Sequence, residues 1–174
     1  MKKDAVDKIL DQWKLERPDL DASPMGVIGR LSRLAQHIDH AIQAEFSPLG
    51  ITDGEFDVLA TLRRSGAPYQ LNPTQLYQAV MLSSGAMTNR LDRLEKAGYV
   101  KRNPDPQDRR GTLVQLTGKG LQLIDRAVEV HVQNEQRLIA DLSDEERETL
   151  TRIFRHWLQS FEPPVDDQSK LVRL

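Results

Sequence analysis

Cysteine is absent from the chain, which excludes disulfides, thiolate zinc centres and cysteine-based redox sensing in one step. Long apolar runs are absent too. Nothing approaches the roughly eighteen residues of a membrane span, and the opening MKKDAVDKIL lacks the apolar core of a secretory signal. A cytoplasmic address without membrane association is expected. No glycine-rich phosphate loop, nucleophile elbow or clustered carboxylate pair occurs, so no catalytic residue, no cofactor and no enzymatic activity are expected. The four histidines are His37, His40, His131 and His156. His37 and His40 stand three apart and would need a carboxylate such as Asp39 or Glu45 to share a metal. With no cysteine and no tighter cluster, surface histidines are the preferred reading and no metal site is assigned. Internal repeats and low-complexity segments are likewise missing.

What is present is a soluble composition, 39% hydrophobic and 29% charged over 174 residues, enough for one sizeable domain or two small ones sharing a core. The net charge of −2 is small but uneven. Ser83 to Gly120 carries eight Lys/Arg against four Asp/Glu, hence +4, which leaves −6 for the remainder. A basic patch on an acidic molecule is the footprint of a localised polyanion site, although charge alone suits a solvated face equally well.

Val6, Ile9, Leu10 and Trp13 form the first helical stripe and stop before the loop RPDLDASP. Ser23 as N-cap and Pro24 at the first helical position open a long helix with Ile28, Leu31, Ile38, Ile42 and Phe46 on one side. TDGE at 52–55 has capping-box spacing and begins a helix carrying Phe56, Val58, Leu59 and Leu62. APYQL is a loop. Asn72 and Pro73 then start a short helix reaching about Val80, and MTNRLDRLEKAG forms the next, closed by Gly98. Two β-prone runs, YVKR and TLVQL, flank NPDPQDRRG and make a wing with a basic tip. A helix from Thr117 carries Leu121, Ile124, Val128 and Leu138, and SDEE at 143–146 caps a last one with Leu150, Phe154, Trp157 and Phe161.

Short helix, turn, basic helix and hairpin predict a winged helix-turn-helix. The fold class is therefore mainly α with a small β wing, a DNA-binding domain plus a helical dimerisation layer. The expected divisions are N-terminal helices for dimerisation and ligand-pocket lid at 1–50, the winged domain at 51–118, C-terminal dimerisation helices at 119–162 and a flexible tail at 163–174. The flanking striped helices favour an intertwined homodimer over a monomeric bundle, because two-fold dimers are the common symmetric solution.

On the basic helix, at about 100° per residue, Met87, Leu91 and Leu94 face the core. Thr88, Asn89, Arg93 and Lys96 face outward, with Gly85, Ser83 and Ser84 at the amino end. Asn and Arg suit adenine and guanine edges, and serine hydroxyls at a helix amino end suit phosphate. At the wing tip, Asp108, Arg109 and Arg110 suit a narrow minor groove. Arg90 falls on the buried side, and Arg102 shares a strand face with Val100, although Tyr99 competes for the core. An arginine turned inward needs an anionic partner; Asp57 lies off the apolar side of its own helix, and periodicity alone does not bring it to Arg90. On residue types alone, a plain ion pair between helix and scaffold is the preferred reading.

GAMTNRLDRLEKAGYVKRNPDPQDRRGTLVQLTGKG, with GITDGEFDVLATL before it, resembles the recognition helix and wing of the MarR family of bacterial transcriptional regulators. The likeness extends over about residues 24–162. It implies a homodimer that sets two winged domains in successive major grooves of a pseudo-palindromic operator on double-stranded DNA, and Asp108 orienting a wing arginine. The additional first helix ending in a tryptophan resembles the urate-responsive branch of that family. That resemblance implies a ligand set of Trp13, Asp57, Arg90 and Arg102. A planar tryptophan beside two arginines and a carboxylate suits an aromatic anion such as urate. The expected function is thus a repressor released by urate. Alternatives are a regulator answering another phenolic or carboxylate effector, and a DNA-binding module without effector.

Overall fold

The computed structural model describes residues 2–80, 87–108 and 110–162. Ser83, Ser84, Gly85, Arg109 and the tail from 163 therefore lie outside the described residues. The chain divides into two compact units, residues 1–44 and 45–174.

In the first unit, α1 (Ala5–Glu16) is opened by a capping box that the periodicity did not predict. Asp4 accepts from the amides of Val6 and Asp7, and Asp7 returns the contact to the Asp4 amide. α2 (Ser23–Phe46) starts one residue before the expected position. Asp21 rather than Ser23 receives the free donors there, accepting from the Ser23 amide at 2.9 Å. α1 crosses α2 where the latter has no side chain: a Cβ on Gly29 would stand 3.4 Å from Val6, and one on Gly26 3.4 Å from Leu10. Arg30 closes the crossing, its Nε donating to Asp4 and its Nη2 to Asp7, both at 2.7 Å. These bonds hold both carboxyls below their usual range, Asp4 at about 2. In each case the first cause is the backbone hydrogen bond and Arg30 follows.

The second unit contains the winged helix. After a 3-10 turn (Ser47–Leu49), Gly50 takes φ 70, which favours glycine, and α3 (Asp53–Arg64) follows. α4 (Pro73–Ala79), α5 (Met87–Lys96), α6 (Gly118–Leu138) and α7 (Asp144–Leu158) complete the helices. Thr52, Asn72, Thr117 and Ser143 all act as the N-caps their sequence contexts predict, and Gly98 closes α5 at φ 75.

The sheet has three strands, one more than expected. β1 (Gln70–Leu71), β2 (Val100–Pro104) and β3 (Thr112–Leu116) run in the order β1-β3-β2, antiparallel throughout. β1 falls inside the predicted loop APYQL. Two residues carry no period-two signal, and only pairing with β3 makes them a strand.

Leu59, Leu62, Leu76, Met87, Leu94 and Val114 are the centre of the core, each 1% exposed or less. Phe46 stacks on Phe56 with ring centroids 4.4 Å apart, and His131 extends the cluster. α7 buries no residue. Among the described residues no helix is long and apolar enough to cross a membrane, and no group of three or more His, Asp or Glu could hold a metal.

Candidate DNA and effector site

α5 is set by its apolar stripe. Met87, Leu91 and Leu94 are 1–4% exposed, as the helix wheel predicts. That stripe rotates Thr88, Asn89, Arg93 and Lys96 to the exposed side. Its carboxyl end is tied to the start of α6: the Lys119 ammonium donates to Ala97 O at 2.9 Å and sits 4.6 Å from the Tyr99 ring centroid. A side chain at Gly120 would collide with Tyr99 O, which is why α6 has no Cβ there.

Arg93 has a partner that the periodicity did not reveal. Its Nε stands 2.9 Å from Glu55 Oε1 on α3, and the Glu55 side chain is only 5% exposed. The other oxygen, Oε2, accepts from Thr52 N at 2.8 Å and Thr52 Oγ1 at 3.1 Å. Glu55 was legible as the closing residue of a capping box, at the third helical position, but its role towards α5 was not.

Arg90 is half-buried, as its wheel position predicts. Its guanidinium lies over the first turn of α3, where a Cβ on Gly54 would stand 2.4 Å from Nε. Gly54 leaves the space that Arg90 fills, and Asp57 stands one turn further along α3. Asp57 is 7% exposed, with Arg64 Nη1 3.9 Å from its carboxylate. Arg64 is also held by a hydrogen bond to Ala79 O on α4.

Arg102 turns back towards the protein and onto α5. Its Nη2 donates to Asp92 and its Nη1 to Glu95, both at 2.6 Å, while its amide donates to Glu95 Oε1 at 3.1 Å. The hydrogen bond that Arg102 donates to Asp92 and the charges of both carboxylates raise the Arg102 pKa still further, so it is a fixed cation. Asp92 and Glu95 were missed as partners because Asp92 lies on the outward side of the α5 wheel and Glu95 on its flank. The strand brings Arg102 back to them. Trp13 belongs to the first unit and is 38% exposed.

At the wing tip Asp108 orients the chain through the main chain: its carboxylate accepts from the Arg110 amide at 2.9 Å. Gly111 is required by crowding, since a Cβ there would lie 2.9 Å from the Asp105 Cβ. Arg110 itself is exposed.

The MarR family model matches residues 51–112. The chain is 48% identical over 155 residues to the HTH-type transcriptional regulator PecS of Dickeya dadantii, covering 87% of this chain and 93% of that protein. It is 33% identical over 130 residues to the multiple antibiotic resistance protein MarR of Escherichia coli, covering 74% and 88%. A mutant of E. coli MarR complexed with operator DNA superimposes with a TM-score of 0.67 at 29% identity, over 90% of this chain and 99% of that one. A structure of Bordetella bronchiseptica BpsR, described as showing regulation of DNA binding by 6-hydroxynicotinic acid, matches with a TM-score of 0.67 at 25% identity, over 75% and 91%. A basic helix seated on its own core, a three-stranded wing and these likenesses agree: the chain belongs to the MarR family and is a DNA-binding transcriptional regulator.

Proposed function

We propose that this regulator is a homodimeric repressor whose grip on a pseudo-palindromic operator is released by a small aromatic anion, urate first among candidates. The observation that carries the reading is the division of cations around α5. Arg93 and Lys96 are exposed with Thr88 and Asn89, whereas Arg90 turns to α3 and Arg102, from β2, turns to Asp92 and Glu95 of α5. The outward set, with Ser83, Ser84, Asp108, Arg109 and Arg110, is assigned to DNA. Trp13, Asp57, Arg90 and Arg102 are assigned to the effector. Residues 51–118 would read the operator, while helices in 1–50 and 119–162 would join two copies.

The dimer is supported by apolar side chains left on the surface: Val27, Leu34 and Ile38 of α2, and Ile153, Phe154 and Leu158 of α7, are 39–61% exposed. The proposed release works through Arg102. Its guanidinium ties β2 to Asp92 and Glu95 of α5, so an anion engaging it competes with those carboxylates and loosens wing from helix. An anion at Arg90 acts on the opposite side of the same helix. For release, the anion must bind the DNA-incompetent arrangement better, and a coupling of about 1–3 kcal/mol is typical.

The second reading, a phenolic or carboxylate effector, is favoured by the likeness to BpsR, whose DNA binding is regulated by 6-hydroxynicotinic acid, an aromatic carboxylate. A thermal-shift panel of urate, xanthine, salicylate and 6-hydroxynicotinate tests both, because a ligand selective for the folded state raises its stability by mass action. Urate is expected to raise the midpoint most and to displace DNA in a gel-shift titration. A larger shift from a carboxylate moves the assignment to the second reading, and no shift from any of them removes the effector.

A further inference from the structure

We propose that Glu55 is a positioning residue for DNA recognition, holding Arg93 in the pose in which it meets the operator. The inference rests on the reading that the outward face of α5 contacts DNA. A carboxylate at the third position of a helix normally needs only to cap the first turn and remain in water. Glu55 does more. One oxygen completes the capping box with Thr52, and the other is turned to Arg93 Nε at 2.9 Å. A carboxylate this buried is costly without a cation, so the pair fixes Glu55 as firmly as it fixes Arg93. Both line a recess of about 240 Å³ between the start of α3 and the end of α5, with Lys96 and Tyr99 beside them.

The geometry of the pair selects which part of the guanidinium remains available. Glu55 takes Nε, and the Arg93 side chain is still 65% exposed. The two terminal nitrogens form the edge that grips a phosphate or the O6/N7 edge of guanine in bidentate fashion. An arginine so held has already lost much of its rotamer freedom before DNA arrives, which lowers the entropic cost of the contact. The capping box fixes the carboxylate relative to α3, and through Arg93 it fixes the reading edge relative to the scaffold. The opposite effect, a buried negative charge that repels the DNA backbone and draws Arg93 away, predicts the reverse sign on removal.

The test uses the full chain and a fluorescent duplex enriched from a random double-stranded pool by the wild type. Glu55→Gln keeps the capping function, since glutamine serves at that position, but removes the charge facing Arg93. Its affinity is expected to fall about 3- to 10-fold, the scale of one immobilised side chain. In an Arg93→Ala background the same change is expected to have no effect, because its action passes through Arg93. Arg93→Lys, an exposed substitution that keeps the charge and the fold, is expected to weaken binding and to abolish sensitivity to Glu55→Gln. Unchanged or tighter binding by Glu55→Gln beside a weakened Arg93→Ala overturns the inference alone, as does an equal loss in both backgrounds. Undiminished binding by Arg93→Ala overturns the outward-face reading itself.

Discussion

Residues 2–44 and 45–162 meet the burial problem in different ways. Among the described residues Val6 is the one buried hydrophobic side chain of the first segment, whereas fifteen lie between Phe46 and Ala127 in the second. The winged helix encloses its own core and needs no neighbour to hold α5 in place. The long helix α2, despite its apolar stripe, leaves Ile28 and Leu34 more than half exposed. Helix α7 resembles α2 in this respect, with Leu158 52% exposed and no buried residue. A reading head complete in itself and outer helices incomplete alone suit the proposed dimer, in which two heads would be joined to address one operator.

The sharpest way to break this contrast is to charge the outer helices. Leu34→Glu and Leu158→Glu change side chains that are 57% and 52% exposed, so the winged helix should still fold. The expected outcome is a monomer by sedimentation, with operator affinity lower by about 100-fold or more as the second head is lost. A dimer that persists in the double variant would show that the exposed stripes do not form the interface.

A second test acts inside the winged unit. Gly54→Ala places a methyl group 2.4 Å from Arg90 Nε. The obstructing group is the end of a flexible side chain, so stability should change by less than about 1 kcal/mol. Arg90 must nevertheless leave its seat, and the thermal shift given by urate should disappear while circular dichroism is unchanged. An unchanged urate response would remove Arg90 from the effector site.

Smaller effects are expected at the partner of β2. Glu95→Gln retains an acceptor for the Arg102 amide but withdraws one of the two charges on its guanidinium. Half-exposed pairs of this kind are worth roughly 0.2–1 kcal/mol, so urate, freed from that competitor, should bind about 1.4- to 5-fold more tightly by isothermal titration. Weaker binding would mean that Glu95 supports the anion site instead of competing with it.

The smallest effect belongs to α1. The Asp4 carboxyl is lowered from 3.8 to about 2, chiefly by its backbone hydrogen bond from Asp7 and next by Arg30. The contribution of this depressed group is therefore complete above its unfolded value and is lost as pH falls through about 2. Trp13 emission in a Trp157→Phe background should stay flat down to about pH 4 and change below it. In Asp4→Asn the acid change should shrink.

Much of this architecture is legible locally. Thr52/Glu55, Asn72/Pro73 and Ser143/Glu146 lie within three residues of each other, and such caps place helix starts to the residue. The orientation of α5 followed from Met87, Leu91 and Leu94 alone. Features joining distant segments were not legible. β1 exists through Gln70 pairing with Gln115, and Arg93 finds Glu55 across thirty-eight positions; no periodicity carries that information. Arg102 shows both sides. Its turn towards the protein was expected from the strand period, but its carboxylate partners come from the outward side and flank of the neighbouring helix. The same limit applied at the wing tip, where Asp108 orients Arg110 through its amide.

In the proposed function α5 divides its arginines between DNA and effector. Fluorescence anisotropy of a selected duplex, titrated with urate in the presence of wild type, Arg90→Gln or Arg93→Ala, tests it most directly. Wild type is expected to release the duplex, Arg90→Gln to bind it and ignore urate, and Arg93→Ala to bind weakly at every urate concentration. Release of Arg90→Gln by urate at the wild-type concentration would contradict the division.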